Sequence, residues 1–231
     1  MRQYNTVGIL GAMPEEVALL VGRLGESKCC KLGGVEFYTG TLGEKRVALC
    51  CAGMGKANAA AATQLLITAF GAQAILFSGI AGNMTARIGI GDVVVSDRVT
   101  YHDAELSMLS QNYPNLTEYA ADPALIAAAE QACRAKGVRH IVGKIATGDK
   151  FVGDSTTKNA IKAFCDPVCV EMEGAAVAHI AAKNDVPFVI VRTMSDNSDE
   201  EGAELLVGKA FDIRAYCRTA SEITEQIVAQ L

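Results

Sequence analysis

Short runs of consecutive apolar residues recur along this chain, separated by alanine-rich or more polar segments. Runs rich in Val, Ile and Leu are typical of strands that are buried on both faces of a sheet. We place such strands at residues 5–11, 74–79, 92–101, 140–148, 166–171 and 187–193, and a hairpin at residues 35–40 and 46–53. These runs therefore predict a sheet that is covered on both sides.

Helices are predicted between these strands. Pro14 suits the first turn of a helix that runs to about Leu24, and Asp122-Pro123 begins another that ends near Gly137. The alanine-rich segment 56–70 and the C-terminal segment 208–230 also have helical patterns, whereas the acidic segment 195–202 is predicted as a loop. The alternation indicates an α/β fold with one domain over residues 1–231, in which helices flank both faces of a mixed central β-sheet.

The predicted strands end in small or polar residues, in motifs such as G-A-M-P-E-E, S-G-I-A-G-N, V-E-M-E-G and T-M-S-D-N. In open α/β sheets, ligands bind beyond the carboxyl ends of the strands. Glu171 and Glu173, in V-E-M-E-G, would be costly to bury in a core without partners. We therefore expect the strand-end acids to face a cleft and not to be buried in the core.

Composition narrows the classes of function. Half of the 231 residues are apolar, the net charge is −5, and tryptophan is absent. No basic stripe with interleaved aromatic residues suggests a nucleic-acid partner. No apolar run approaches the ~18 residues of a membrane span, and the N-terminus lacks signal-peptide anatomy, so we expect a cytoplasmic protein. Its eight cysteines, including the adjacent pairs Cys29-Cys30 and Cys50-Cys51, are expected to be reduced and buried.

The sequence lacks several common motifs that bind cofactors. G-M-G-K lacks the earlier glycine and the following Ser or Thr of a phosphate-binding loop, and the glycine-rich stretches miss the third glycine of a dinucleotide fingerprint. His102, His140 and His179 lie far apart and lack metal-ligand spacing. The sequence therefore predicts no cofactor and no metal.

Seven motifs in order resemble those of the 5′-methylthioadenosine/S-adenosylhomocysteine nucleosidases, within the larger purine nucleoside phosphorylase superfamily. They are G-A-M-P-E-E-V, A-G-M-G-K-A-N-A-A, G-I-A-G, G-D-V-V-V-S-D, Y-H-D-A, V-E-M-E and V-R-T-M-S-D, and they span residues 7 to about 200. The resemblance implies an enzyme that hydrolyses the N-glycosidic bond of a small nucleoside and releases adenine. It also implies a homodimer.

Three acids carry the chemistry that the resemblance implies. Asp196, from the S-D motif, would protonate the departing adenine at N7, which requires a raised pKa. Glu16 would position and deprotonate the attacking water, and Glu173 would bind ribose hydroxyls and stabilise the cationic sugar. The alternatives are structural: Asp196 as a turn residue, and Glu15 and Glu16 as acids that favour the dipole of a helix N-terminus.

Further residues are expected around these acids. Glu171 is expected to point away from Glu173 and to be structural, and Arg192 to pair with a cleft acid or to form a structural ion pair. The other positions predicted to bind substrate are Phe151 and Val152 at the base, Ala81 and Gly82 as backbone lining, Met13 and Met54 near the sugar and its 5′ group, Met172 under the sugar, and Ser195.

The chain departs from the family pattern at some positions. Ile80 stands where serine is common, and the segment expected to bind the 5′ substituent offers only Leu106, Leu109 and Phe211. A related nucleosidase with a different 5′ preference therefore remains an alternative, as does a nucleoside-binding protein without turnover. A purine nucleoside phosphorylase is disfavoured, because the loop at Glu15 and Glu16 carries two carboxylates and no arginine for phosphate.

Overall fold

The computed structural model describes residues 4–207 and 212–231. The strands are β1 (Thr6–Gly11), β2 (Gly25–Leu32), β3 (Val35–Leu42), β4 (Lys45–Cys51), β5 (Ala74–Asn83), β6 (Val93–Tyr101), β7 (Glu118–Ala120), β8 (His140–Thr147), β9 (Cys169–Glu171) and β10 (Phe188–Asp196). The helices are α1 (Pro14–Gly22), α2 (Lys56–Thr68), α3 (Leu106–Leu109), α4 (Pro123–Lys136), α5 (Ser155–Cys165), α6 (Gly174–Lys183), α7 (Glu200–Val207) and α8 (Ile213–Val228).

All these strands join one mixed sheet in the order β10-β6-β8-β9-β5-β1-β4-β3-β2, and β7 pairs with β6. Strands β1 and β4 are parallel, as are β1 and β5, whereas β6 is antiparallel to β10. β10 also pairs with β5, so that β10, β6, β8, β9 and β5 form a closed ring of strands. The sheet is therefore curved at this end, and the strand ends meet around a common space.

Helices cover the sheet from two sides. Helix α8 packs on α1, α4, β5 and β10, while α2 and α6 pack on each other. The core between these layers consists mainly of Val, Ile, Leu and Ala side chains, including Ile9 and Leu76 from the central strands. The predicted α/β class, with a mixed sheet and helices on both faces, is confirmed.

Most predicted elements form, and the differences have physical causes. Strand β2 was not predicted, because its residues are polar and exposed on both faces of an edge strand and show no apolar alternation. The acidic segment 195–202 is not wholly a loop: residues 195–196 complete β10 and α7 begins at Glu200. The C-terminal helix spans Ile213–Val228, and residues 208–211 lie outside the described residues.

The cysteines differ in part from the expectation. All eight have free thiols, but Cys29 and Cys30 are exposed because they lie on the edge strand β2, and only Cys50, Cys133, Cys169 and Cys217 are fully buried.

Among the described residues, no helix combines the length and apolar character needed to cross a membrane.

Candidate active site

A cavity of about 430 Å³ lies where strands β1, β5, β9 and β10 end. The predicted residues that line it are Met13, Glu16, Met54, Ala81, Gly82, Phe151, Val152, Glu171, Met172, Glu173, Ser195 and Asp196. The cavity thus brings together side chains that are as far apart in sequence as Met13 and Asp196. Its volume suits a small organic ligand.

Glu16 is fixed by the start of helix α1. It is the third residue of the helix, and its Oε2 atom accepts hydrogen bonds from the backbone N–H groups of Ala12 (2.5 Å) and Met13 (3.1 Å). Its Oε1 atom accepts a third bond from the Ile80 N–H on β5, at 3.1 Å. The helix N-terminus and the adjacent strand therefore hold this carboxylate in one orientation.

Arg192, on β10, is fully buried and is shared by three carboxylates. Its Nη2 atom donates to Glu171 Oε2 and lies 3.5 Å from Glu173 Oε2, and its Nη1 atom lies 3.8 Å from Glu16 Oε1. The guanidinium carbon also lies 3.9 Å from the centre of the Phe77 ring, an arrangement that favours a cation. With all four groups ionised, this cluster carries a net negative charge.

Glu171 serves as a structural link. Its carboxylate accepts bonds from the backbone N–H groups of Glu173 (3.1 Å) and Gly174 (2.7 Å) at the start of α6, and from the Thr147 hydroxyl. The expectation that Glu171 points away from Glu173 is wrong, because both carboxylates contact Arg192. They meet there because the chain turns from β9 into α6 between the two residues.

Asp196 ends strand β10 and lines the cavity. Its Oδ2 atom accepts a bond from the Ser195 hydroxyl (2.8 Å), and its Oδ1 atom accepts one from the Ser198 N–H (2.8 Å). The Ser195 hydroxyl also lies 3.2 Å from the backbone oxygen of Ala81. Because burial outweighs these hydrogen bonds, the pKa of Asp196 is raised above its usual value.

The three acids line the cavity and are not part of the hydrophobic core, yet little of their surface is exposed. Glu16, Glu173 and Asp196 are only 2%, 5% and 2% exposed. Backbone N–H donors make this burial tolerable, including the Gly55 N–H, which donates to Glu173 Oε1 at 2.8 Å. Burial raises the pKa of Glu16, and burial together with the nearby Glu171 charge raises the pKa of Glu173 to about 7.

Apolar side chains form the rest of the wall and the mouth. Phe151 and Met54 line the cavity yet are 55% and 62% exposed, which places them at its opening. Val152, which is buried, and Ile80, which is half-buried, add apolar surface. Acids together with an aromatic ring and thioethers in one cavity would suit a ligand with a polar sugar-like part and a flat apolar part.

The sequence profile of the phosphorylase superfamily matches residues 6–230. The chain belongs to this superfamily. The match confirms the superfamily that the sequence motifs indicated. The structural relatives narrow the membership to a group within it.

Three crystal structures illustrate these relatives. A 5′-methylthioadenosine/S-adenosylhomocysteine nucleosidase from Neisseria meningitidis, in complex with methylthio-immucillin-A, is 33% identical with a TM-score of 0.91; 98% of this chain and 100% of that chain are covered. An S-adenosylhomocysteine nucleosidase from Streptococcus pyogenes, in complex with 5-methylthiotubericidin, is 32% identical with a TM-score of 0.92; 100% of this chain and 98% of that one are covered. A futalosine hydrolase from Helicobacter pylori is 31% identical with a TM-score of 0.89; 98% of each chain is covered.

These identities over nearly the whole chain place it among the nucleosidases of the superfamily, which are N-glycosyl hydrolases. The resemblance drawn from the seven motifs is confirmed. The relatives differ in the substrates for which they are named, so they do not fix the nucleoside that this superfamily member cleaves.

Some predicted site residues lie elsewhere. Arg192 does not line the cavity but lies behind the carboxylates, where it pairs with Glu16, Glu171 and Glu173. Leu106 and Leu109 belong to the short helix α3, pack against the hydrophobic core and do not line the cavity of this chain. Their place in a tail pocket therefore stays a prediction, and Phe211 lies outside the described residues.

Other lining residues were missed by sequence reasoning. They are Ala12, Lys150, Val170, Ser198 and Ile213. Ala12, Lys150 and Val170 are adjacent in sequence to predicted site residues, so their place in the cavity could have been inferred. No sequence pattern pointed to Ser198 or Ile213. No group of three or more His, Cys, Asp or Glu side chains in residues 4–207 and 212–231 is arranged to hold a metal ion.

Gly79 makes room for the buried ion cluster, and its replacement tests that packing. A Cβ atom at this position would overlap Arg192 Nη1 and would lie 2.5 Å from Glu16 Oε1. We expect Gly79→Ala to lower the free energy of unfolding by about 1–3 kcal/mol, measured by urea denaturation. Gly22→Ala is the matched control, since nothing lies within 4 Å of its Cβ; equal effects of the two variants would contradict this account.

The raised pKa of Glu173 predicts a pH-dependent stability. A carboxyl whose pKa rises on folding, here from 4.5 to about 7, contributes stability below about pH 4.5 that is lost as the pH rises through 7. Glu173→Gln cannot ionise, so we expect it to be more stable than wild type by about 1–3 kcal/mol at pH 8, with little difference near pH 4.5. Urea denaturation at both pH values measures this, with the exposed Glu44→Gln as control; a difference independent of pH would refute it.

Proposed function

We propose that this enzyme hydrolyses the N-glycosidic bond of 5′-methylthioadenosine and S-adenosylhomocysteine, and that it releases adenine and the 5-thio-substituted ribose. The observation that carries the proposal is the convergence of Glu16, Glu173 and Asp196 on one cavity of about 430 Å³. The nucleosidase relatives named for these two substrates support it.

Cleavage of a ribosyl–adenine bond leaves positive charge on the sugar and negative charge on the base. The net negative cluster of Glu16, Glu171, Glu173 and Arg192 would favour a cationic sugar beside it. Glu173, at the cavity surface, would accept hydrogen bonds from the ribose hydroxyls. A neutral leaving group is obtained only if a proton reaches the base as the bond breaks.

Asp196 would supply that proton to N7 of adenine. Its raised pKa keeps more of the carboxyl protonated near neutral pH than an exposed aspartate would be. Glu16 would take a proton from the attacking water. Burial raises the pKa of Glu16, while Arg192 and the three backbone N–H donors favour the ionised form that this role requires.

Water is favoured over phosphate as the nucleophile. The buried cation Arg192 already faces three carboxylates, so it has no free charge for an incoming anion. Among the lining side chains in the described part of the chain, Lys150 is the one basic residue, and it is exposed. A phosphate dianion next to Glu16 and Glu173 would be repelled, whereas water would not.

A second candidate substrate is futalosine. The 31% identical Helicobacter pylori relative is named for it, and Ile80 removes a hydroxyl that the methylthioadenosine-type pattern commonly has. A purine nucleoside phosphorylase remains the alternative reaction. The methionine-salvage role, the cytoplasmic location and the homodimer also stay part of the proposal, and light scattering of the purified protein would test the dimer.

The substrate test follows release of free base by chromatography. The purified enzyme is incubated with 5′-methylthioadenosine, S-adenosylhomocysteine, adenosine, inosine and futalosine, with and without phosphate. We expect adenine from the first two at rates that phosphate does not change. Base release that requires phosphate would establish a phosphorylase, and cleavage of futalosine alone would establish the second candidate.

A further inference from the structure

Ser198 lines the cavity two residues beyond Asp196 and has an unusual environment. The residue is 0% exposed, and its hydroxyl has no hydrogen-bond partner. Within residues 4–207 and 212–231, no other side chain that lines the cavity has a buried polar atom left unpaired in this way. A buried hydroxyl without a partner loses its bonds to water and gains nothing in return, so its presence calls for an explanation.

The backbone at Ser198 is also strained. Its φ angle is 52°, in the left-handed region that non-glycine residues seldom adopt. Strain of this kind persists where the surrounding structure enforces it, often at ligand sites. Here the enforcing contact is the hydrogen bond from the Ser198 N–H to Asp196 Oδ1, at 2.8 Å.

The Ser198 hydroxyl and the Asp196 carboxyl both lie next to the position that a side chain on Gly82 would occupy. A Cβ atom on Gly82 would overlap the Ser198 hydroxyl and would lie 3.0 Å from Asp196 Oδ1. Both oxygens therefore lie over the same glycine, next to each other at the wall of the cavity. Among the described residues that line the cavity, the Ser198 hydroxyl is the buried side-chain group without a partner, and it lies beside the Asp196 carboxyl.

The chemistry of a purine defines what this neighbour can contact. When Asp196 faces N7, the adjacent positions of the base are C8, which carries no hydrogen-bonding group, and the exocyclic group at C6. A serine hydroxyl can accept a hydrogen bond from a 6-amino group or donate one to a 6-oxo group. It therefore matches either kind of base, unlike a group that can only donate or only accept.

We infer that the Ser198 hydroxyl contacts the exocyclic group at C6 of the bound purine, and that the cavity accepts both 6-amino- and 6-oxopurine nucleosides. The inference rests on the proposed function, since it places Asp196 at N7. It extends that function by naming a residue that determines the class of base.

Three nucleosides with the same 5′-methylthio group test it: the adenine form, the hypoxanthine form, and the form whose purine carries only hydrogen at C6. For Ser198→Ala we expect kcat/KM to fall about tenfold for the first two relative to the third. Ser198→Gly relieves the backbone strain but also lacks the hydroxyl, so it is expected to show the same loss of selectivity. An equal loss with all three nucleosides, or no change in their ratios, would overturn the inference.

Binding of the free bases separates this inference from the proposed reaction. Adenine, hypoxanthine and unsubstituted purine are titrated calorimetrically into wild type and Ser198→Ala, which requires no turnover. Weaker binding of the two substituted bases only, by about tenfold, supports the contact even if wild type cleaves no nucleoside. Unchanged relative affinities reject the contact even if hydrolysis is observed.

Discussion

Replacement of Asp196 with asparagine is expected to lower kcat for adenine release from 5′-methylthioadenosine by about 10²–10⁴-fold. Asparagine has the same shape and can still accept the bond from the Ser198 N–H, but it cannot transfer a proton to the departing base. The fold should therefore persist while the chemical step fails. Steady-state kinetics and a circular dichroism spectrum measure the two quantities.

The pH dependence strengthens this test. In wild type, activity should fall at high pH as Asp196 loses its proton, and at low pH as Glu16 gains one, with both limits displaced upward because burial raises both pKa values. Asp196→Asn should lack the decline at high pH. Asp185→Asn is the matched control, since Asp185 does not line the cavity and asparagine can still accept the bond from the Tyr113 hydroxyl; Asp196→Asn with near-wild-type kcat would exclude the proposed proton transfer.

Replacement of Arg192 with methionine is expected to produce the largest loss of stability. It would leave Glu16, Glu171 and Glu173 without their shared cation, and loss of one partner from a buried ion cluster costs about 3–5 kcal/mol. The loss should be smaller at pH 5 than at pH 8, because protonated carboxyls need no counter-charge. Urea denaturation at both pH values measures it.

Arg134→Met provides the control for that experiment. The Arg134 side chain is 62% exposed and its guanidinium pairs with Glu130 on the surface of α4, so its removal should change stability by no more than about 0.5 kcal/mol. If Arg192→Met unfolds the chain entirely, Arg192→Lys keeps the charge and should recover part of the stability. Equal stability of Arg192→Met and Arg134→Met would show that the buried cluster needs no cation.

The sequence predicts the fold well where its signal is apolar. The apolar side chains of a continuous run such as residues 187–193 are shielded from water only if both faces of the sheet are covered. Strand β10 forms from this run and is buried throughout. Strand β2 lacks that signal, since it is held by hydrogen bonds to one neighbour and buries no face. The closure of the strands into a ring depends on long-range pairing of β10 with β5, which no local pattern encodes.

The candidate site could be predicted only in part. The motifs around Glu16, Glu173 and Asp196 indicate which residues meet, because each motif follows a strand and strand ends gather at one place. The sharing of Arg192 among three carboxylates could not be read from spacing, since it depends on how β9 turns into α6. Ser198 gave no sequence signal for a similar reason: the position of its unpaired hydroxyl over Gly82 depends on the three-dimensional fold.

The double pairing of β10 has a consequence for how a nucleoside reaches the acids. Around Arg192 this strand is bonded to β5 on one edge and to β6 on the other, so the strands beneath the carboxylates cannot part without breaking the sheet. Opening and closing must then come from the outer rim, where Phe151 and Met54 are more than half exposed. The strands that carry the acids are thus held in place on both edges, whereas the exposed side chains at the cavity opening are free to adjust to the shape of a ligand.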